Sequence, residues 1–300
     1  MKTRKLGKTG PVISEIGLGC MSLPDDAGKA ERIVQAALDA GINYFDTADL
    51  YGRGRNEELL GKAFGNRRQD IILATKVGNS WTDGKEGWEW DPSPGHIRKS
   101  VHNSLKRLGT DYIDVYQLHG GTAEDDLDAI ISVFDDLKRE GLIRHYGISS
   151  IRPNVFLPFL KNSSAVSNMM QYSLLDRRPE EWFADISDAG ASVVARGPLS
   201  KGLLTSEAEK RVEAADGYLS YSSGELRELI AGFGRLTGAL HSAALAFVLE
   251  NGAVASAITG ASSEEQLHET LNAYDSMPDS ETVRTYAALT AEDRYEKHRE

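Results

Sequence analysis

Four side chains that can hold or move a proton follow short apolar runs in the first half of the chain. Asp46 and Tyr51 stand in FDTADLYG, Lys76 ends IILATK, and His119 ends DVYQLH. A phenol is a weak acid at neutral pH. A neighbouring ammonium group stabilises its phenolate form, and a carboxylate keeps a buried ammonium group charged and in place. An imidazole can donate a second hydrogen bond to the reacting oxygen or take part in the proton relay.

Such a cluster suits the protonation of an oxygen atom that gains negative charge, such as a carbonyl oxygen whose carbon receives hydride. Side chains do not supply hydride, so this chemistry requires a bound cofactor. Taken singly, each residue has a commoner structural role. A tyrosine packs, a strand-end lysine is solvated, a histidine is hydrogen-bonded in place, and an aspartate caps a turn. The functional interpretation therefore depends on the four residues lying together.

The elements that must position these residues alternate along the chain. Short apolar runs are followed by helical patterns, which predicts parallel strands joined by crossover helices. The runs that we interpret as strands are 16–19, 42–46, 70–76, 112–119, 144–149, 165–171, 191–196 and 253–259. Eight such units favour a closed (β/α)8 TIM barrel, an α/β fold whose functional residues lie at the carboxyl ends of its strands. The four residues follow the second, third and fourth runs, so we expect them to converge at the barrel mouth.

Other segments complete this prediction. TRKL and VISE flank the turn GKTG and predict an N-terminal β-hairpin, and residues 279–300 are predicted to form a charged helical tail. Nothing in the composition marks a second domain, so we expect one domain over residues 1–300. The competing doubly wound fold calls for G-x-G-x-x-G after the first strand, and the sequence there is GLGCMS.

Composition limits the classes of function. The 300 residues include 34 basic and 45 acidic side chains, a net charge of −11. Such a chain is a poor general ligand for nucleic acid or acidic membranes. It contains one cysteine and no apolar run of spanning length, and its N-terminus has no signal-peptide core. We therefore expect a cytoplasmic protein without nucleic-acid or membrane partners, and the histidine spacing indicates no metal site.

Short motifs stand at the first seven predicted strand ends, including the three already described. They are RKLGKTGPVISEIGLGCM, FDTADLYG, ATKVG, DVYQLHG, RHYGISS, MMQYS and GPLSKGLL, in that order along the chain. Together they resemble the aldo-keto reductase superfamily over nearly the whole sequence. The resemblance implies reduction of a small aldehyde or ketone, with Tyr51 as general acid, Lys76 and Asp46 tuning it, and His119 orienting the carbonyl.

The resemblance also implies a nicotinamide cofactor lying across the barrel mouth. Ser149 and Gln171 would hold its carboxamide, and Asp46 would touch its ribose. The full set of cofactor residues that we expect is Gly19, Cys20, Met21, Asp46, Ser149, Ser150, Gln171, Arg196, Gly197, Pro198, Leu199, Ser200, Lys201, Gly202, Gly260, Ser262 and Gln266.

Several departures from the family pattern affect the cofactor. Ser150 stands where Asn is usual, and Arg196 stands where many members place an aromatic side chain that stacks on the nicotinamide. A guanidinium plane can also cover a ring. TGASSEEQLHET contains no Lys or Arg that would bind a 2′-phosphate, although Lys201 is a nearby candidate. We expect NADPH, with NADH possible.

Alternatives to a reductase remain open at this stage. The chain could be a cofactor-binding sensor or regulatory subunit with slow turnover, or a barrel enzyme that uses Lys76 as a Schiff base. The loops 79–93 and 200–223 would shape the substrate pocket. Trp81, Trp88 and Trp90 would line that pocket or cover the underside of their own loop. The sequence leaves the oligomeric state open.

Overall fold

The computed structural model describes residues 1–82, 84 and 86–299 of the chain. The first two strands form an antiparallel hairpin, in which Thr3 pairs with Ser14. In chain order the strands are β1 (Thr3–Lys5), β2 (Val12–Ser14), β3 (Ile16–Gly19), β4 (Tyr44–Asp46), β5 (Ile72–Val77), β6 (Asn79–Ser80), β7 (Glu89–Trp90), β8 (Ile113–Leu118), β9 (Ile143–Ile148), β10 (Ser167–Gln171), β11 (Ser192–Arg196) and β12 (Val254–Gly260).

Eight parallel strands of the described chain close into a barrel in the order β3, β4, β5, β8, β9, β10, β11 and β12. All eight overlap the runs predicted from sequence, and β5, β9 and β12 each extend one residue beyond their run, so the TIM barrel and its N-terminal hairpin are confirmed. The strands are easy to recognise as apolar runs in the sequence, because helices cover the outside of the barrel and side chains fill its inside. A barrel strand is then buried on both faces, as in β8, where every residue is buried.

Helices cover the outside of the barrel. In chain order they are α1 (Ala27–Asp39), α2 (Arg55–Ala63), α3 (Pro94–Leu108), α4 (Leu127–Arg139), α5 (Pro153–Lys161), α6 (Phe183–Asp188), α7 (Ala208–Glu213), α8 (Ser223–Phe233), α9 (Leu240–Glu250), α10 (Glu264–Asp275) and α11 (Ser280–Ala287). α3 shows how the sequence sets their ends. Ser93 Oγ accepts a hydrogen bond from the His96 amide, Pro94 takes the first position, and Gly109 ends the helix at φ 64°.

The hairpin lies at the amino-terminal end of the barrel. Leu6 and Ile13 are fully buried and belong to the inner core of the barrel. The Arg4 guanidinium donates to the carbonyl oxygens of Leu249 at 2.6 Å and Val254 at 2.8 Å, just before and at the start of β12. The hairpin therefore covers the end of the barrel from which the strands begin, and the opposite end remains for the site.

The predicted helical tail is correct only in its first part. α11 ends at Ala287, and residues 288–299 continue without regular structure. Tertiary contacts hold this segment. Tyr295 is buried beneath the Arg178 guanidinium, which lies 5.0 Å from its ring centroid, and Arg299 pairs with Glu181 at 2.8 Å. These long-range contacts hold the segment in a non-helical path, so they override the helical tendency of the charged sequence.

Two features are absent from the residues that the structure describes. No helix among them is both long enough and apolar enough to pass through a bilayer. Nor do these residues include a group of three or more His, Cys, Asp or Glu side chains arranged to hold a metal ion.

Candidate active site

Strand register brings the predicted catalytic residues together. Asp46 at the end of β4 pairs with Gly19 of β3 and with Ala74 of β5. Two residues further along β5, Lys76 pairs with Gln117 of β8. Because the strands are parallel, their carboxyl ends form one rim, and the side chains predicted from three separate motifs meet there.

Lys76 lies at the centre of this cluster and is fully buried. Its Nζ donates to Asp46 Oδ1 at 2.5 Å and to the Thr47 carbonyl oxygen at 2.7 Å, and it lies 3.4 Å from the Tyr51 hydroxyl. Burial alone would lower the pKa of this ammonium group, but the charge of Asp46, with Tyr51, raises it overall. Lys76 is therefore a charged group directed at the Tyr51 oxygen.

Tyr51 is presented by a tight turn, Tyr51–Gly54, between β4 and α2. The three residues after it all have positive φ, namely Gly52 at 55°, Arg53 at 54° and Gly54 at 88°. Glycine tolerates this conformation, so the two glycines of YGRG permit the turn. The turn leaves the Tyr51 ring half-buried and edge-on to the His119 ring, with centroids 6.1 Å apart.

His119 is fixed by its backbone amide, which donates to the Val77 carbonyl oxygen at 2.7 Å. Burial, with the nearby charges of Lys76 and Arg196, lowers the pKa of its imidazole to about 3. The ring is neutral at physiological pH, so it can donate a hydrogen bond but does not act as a cationic acid. Among the described residues, its buried Nδ1 atom has no hydrogen-bond partner.

A second acidic group lies behind this cluster and was missed by the sequence reasoning. Glu57 is fully buried, accepts a hydrogen bond from Thr75 Oγ1 at 2.6 Å and pairs with Arg107 at 2.6 Å. Asp49 lies in the same region. Burial, and the like charge of Glu57, raise its pKa to about 8. Asp49 is therefore protonated at neutral pH.

Replacing Asp49 with asparagine should stabilise the protein increasingly as pH rises. The folded state keeps the carboxyl group protonated up to about pH 8, whereas an unperturbed one releases its proton near pH 3.8. Between these pH values the folded wild type binds one proton more than the unfolded chain. Its free energy of unfolding therefore falls with rising pH, by at most about 1.4 kcal/mol per pH unit, whereas the variant lacks this dependence. Urea unfolding of both proteins from about pH 5 to pH 8 measures the difference. A difference that stays constant with pH would contradict a protonated Asp49.

Gln117 is a further residue that the sequence reasoning did not identify. It is fully buried, and its Nε2 donates to Asp46 Oδ2 at 3.1 Å, so both oxygens of that carboxylate are held. Its spacing from His119 in the sequence could have identified it. Gln117 stands two residues before His119, and residues two apart on a strand share a face.

A cavity of about 230 Å³ opens beside His119. Ser149, Ser150 and Arg196, which are predicted to contact the cofactor, line it. Trp88 and Trp90 line it as well, whereas Trp81 is not among its lining residues. Trp90 also covers its own loop, because an added Cβ at Gly78 would lie 2.5 Å from its ring. Both interpretations of this loop therefore apply to Trp90.

The remaining predicted cofactor residues lie around the same rim. Gln171 pairs with Arg196, and Gly260 pairs with Gly19. Pro198 and Leu199 precede the turn Ser200–Gly202, where Lys201 lines a separate hollow with Arg211 and Tyr218. Of the 200–223 loop, no described residue lines the cavity beside His119.

Four of the predicted cofactor residues differ in exposure and in the contacts that they already make. Cys20 is fully buried, and burial raises the pKa of its thiol, which keeps it protonated and unreactive. Met21 is 67% exposed. Ser262 donates from its hydroxyl and amide to Gln266 Oε1, both at 2.9 Å, so this pair is already linked at the start of α10.

The residues at the mouth fit a nicotinamide group. The donor and acceptor sets of the Ser149 hydroxyl and the Gln171 amide complement those of a carboxamide. Gly197 has φ 65°, and an added Cβ there would meet nothing within 4 Å, so the backbone borders open space. The orphaned Nδ1 of His119 shows that this buried site has unused polar capacity.

Comparison with known proteins identifies the family. The sequence model of the Aldo/keto reductase family matches residues 15–290. The chain therefore belongs to the aldo-keto reductase family and is an oxidoreductase of that family. Its members use nicotinamide cofactors.

Relatives cover the whole chain. An uncharacterised oxidoreductase of Bacillus subtilis, YqkF, is 52% identical over 308 residues and covers 100% of both chains. Among solved structures, the holo form of aldo-keto reductase AKR11C1 from Bacillus halodurans has a TM-score of 0.93 and 51% identity, with both chains covered in full. Glycerol dehydrogenase AKR11B4 from Gluconobacter oxydans has a TM-score of 0.83 and 25% identity, with 98% of each chain covered.

Proposed function

We propose that this protein reduces a small aldehyde or ketone to an alcohol with NADPH and uses Tyr51 as the general acid. One observation carries the proposal. The Lys76 ammonium is buried between Asp46 Oδ1, at 2.5 Å, and the Tyr51 hydroxyl, at 3.4 Å. A buried cation aimed at a phenol oxygen stabilises the phenolate that remains after a proton is given away.

Each side chain has a separate task in this proposal. A nicotinamide held by Ser149 and Gln171 would supply the hydride that the carbonyl carbon receives. The Tyr51 hydroxyl gives its proton to the carbonyl oxygen, and Lys76 stabilises the resulting phenolate. Asp46 keeps Lys76 charged and oriented, and Gln117 orients Asp46. The neutral His119 ring donates a hydrogen bond to the same carbonyl oxygen, which fixes the substrate and stabilises its developing charge.

The same geometry argues against the two alternatives. A Schiff-base lysine must lose its proton to attack a carbonyl, whereas the surroundings of Lys76 raise the pKa of its ammonium group. A sensor with slow turnover would not need an intact proton-donating cluster, and here Tyr51, Lys76, Asp46 and His119 are all assembled. A reductase is therefore the better account.

For the cofactor we propose NADPH, with NADH as the competing choice. The structure brings one cation that the sequence reasoning missed to the start of α10, because Arg32 of α1 pairs with Glu264 at 2.9 Å. Arg32 would bind a 2′-phosphate of the cofactor by exchanging this ion pair for the phosphate. Glu264 and Glu265 oppose phosphate binding through their negative charge.

We also propose a single-domain organisation and a cytoplasmic location, and the single cysteine supports the location.

Fluorescence titration of the purified protein with NADPH and NADH in parallel tests the proposal, followed by an aldehyde-dependent decrease in cofactor absorbance. We expect tighter binding of NADPH and turnover with small aldehydes. Equal or tighter binding of NADH would keep the reductase and overturn the choice of cofactor. Failure to bind either cofactor would refute the proposed function.

A further inference from the structure

The cavity beside His119 carries a positive charge that the proposed reduction does not use. Two guanidinium groups line it, Arg152 and Arg196, and none of its lining residues among those described is acidic. This is unusual for a chain with a net charge of −11. Arg196 lies at the predicted nicotinamide, so Arg152 is the cation left over for another ligand.

Arg152 is held in place from behind. Its Nη1 donates to the Gly121 carbonyl oxygen at 2.8 Å, and its backbone amide approaches Ser150 Oγ at 3.3 Å. Among the described residues, no carboxylate forms an ion pair with Arg152, although many other arginines of this chain have such a partner. A half-buried guanidinium with one anchored nitrogen presents its other N–H groups to a ligand.

One acidic group lies beside Gly121, since an added Cβ there would be 3.8 Å from Asp125 Oδ2, but this carboxylate is already engaged. Asp125 accepts hydrogen bonds from Trp90 Nε1 at 3.0 Å and from the Thr122 amide at 2.7 Å. Its role is therefore to fix Trp90 as a wall of the cavity, and it does not form an ion pair with Arg152. The charge of Arg152 is left without a counterion within the cavity.

We propose that Arg152 binds a carboxylate on the substrate, so that the preferred substrate is a small oxo acid whose carbonyl group reaches His119. A guanidinium group matches a carboxylate through two parallel N–H···O contacts. The indoles of Trp88 and Trp90 contact the carbon chain between the two ends. This inference rests on the proposed function, because it assigns a substrate class to the same site.

Succinic semialdehyde and butanal test this proposal, since they share a four-carbon aldehyde and differ in one carboxylate. We expect kcat/KM to favour the semialdehyde by about 10- to 100-fold, the range for one charge-assisted contact. In Arg152→Gln this ratio should fall to near one, mainly through KM of the semialdehyde. Arg152→Lys keeps the charge but loses the planar fork, so it should give an intermediate ratio.

Arg144→Gln is the matched control. Arg144 lies on β9 over the ring of Tyr112, away from the cavity, so its replacement should leave the ratio unchanged. Thermal unfolding of each variant checks that the fold survives. A wild-type ratio near one, or an unchanged ratio in Arg152→Gln, would overturn the proposal.

A binding measurement separates this inference from the proposed function. Tryptophan fluorescence of the protein alone is titrated with γ-hydroxybutyrate and, in parallel, with butanol. If γ-hydroxybutyrate binds, butanol does not, and Arg152→Gln loses this binding, the anion site is supported. This holds even if neither aldehyde is reduced, because the absence of reduction refutes only the reductase. If the protein reduces butanal but neither binds γ-hydroxybutyrate nor prefers succinic semialdehyde, only the anion site is refuted.

Discussion

Replacing Tyr51 with phenylalanine should lower kcat by about 10²- to 10⁴-fold, the usual contribution of a general acid, while cofactor binding is kept. The change removes only the hydroxyl that lies 3.4 Å from Lys76 Nζ. The phenyl ring can keep the edge-on contact with His119, whose centroid lies 6.1 Å away, so the cavity wall is preserved. Without the hydroxyl, none of the described side chains in contact with Lys76 can give the carbonyl oxygen its proton, and the alkoxide product is left unneutralised.

Steady-state kinetics and cofactor fluorescence together check this expectation. Tyr112→Phe is a suitable control, because it also deletes one hydroxyl and lies just before β8, at the opposite end of the barrel. It should retain wild-type turnover. Wild-type kcat in Tyr51→Phe would remove Tyr51 from the mechanism. Loss of cofactor binding along with turnover would show that the residue is structural.

Much of the fold could be predicted from the sequence, because the barrel imposes a repeated local pattern. Each strand is rich in apolar residues and is followed by a helix, so eight units could be recognised without long-range information. The end of the chain did not follow such a pattern. Residues 288–299 are charged and were predicted to be helical, but they are held by buried Tyr295 and by the Arg299–Glu181 pair. Contacts between residues distant in sequence are not visible in local propensity.

The candidate site could also be predicted only in part. Asp46, Tyr51, Lys76 and His119 stand at strand ends, where a barrel places functional residues, so their convergence followed from the topology. Other groups act through side-chain contacts that no spacing reveals. Glu57 of α2 reaches Thr75 and Arg107, and Arg152 reaches the Gly121 carbonyl oxygen. Such partners depend on helix packing and on rotamers, which one sequence does not specify.

Replacing Lys76 with methionine should destabilise the protein by about 3–5 kcal/mol, the typical cost of removing one partner from a buried ion pair. Total stabilities are about 5–15 kcal/mol, so this loss is severe. Of the hydrogen bonds to its side chain among the described residues, Asp46, 4% exposed, would keep the one from Gln117 Nε2 at 3.1 Å. Asp46→Asn should cost a comparable amount, because it leaves the Lys76 ammonium buried without a counterion.

The double variant Lys76→Met/Asp46→Asn should be more stable than the sum of the two single losses predicts. It removes both charges together, so neither is left uncompensated, and the two residues are in direct contact. Urea unfolding of the four proteins gives this coupling energy. Additive losses would show that the Lys76–Asp46 pair contributes no more than packing.

The pH dependence of Lys76→Met gives a second, independent check on the same pair. In the wild type, burial raises the pKa of Asp46, and the charge of Lys76 acts in the opposite direction. Removing that charge raises the pKa further, so the folded variant keeps a proton that the unfolded carboxyl group releases above about pH 3.8. Its stability should therefore decline as pH rises from there, and the gap to the wild type should be smallest in acid. A gap that instead narrows towards neutral pH would mean that Asp46 is not the group left uncompensated by the loss of Lys76.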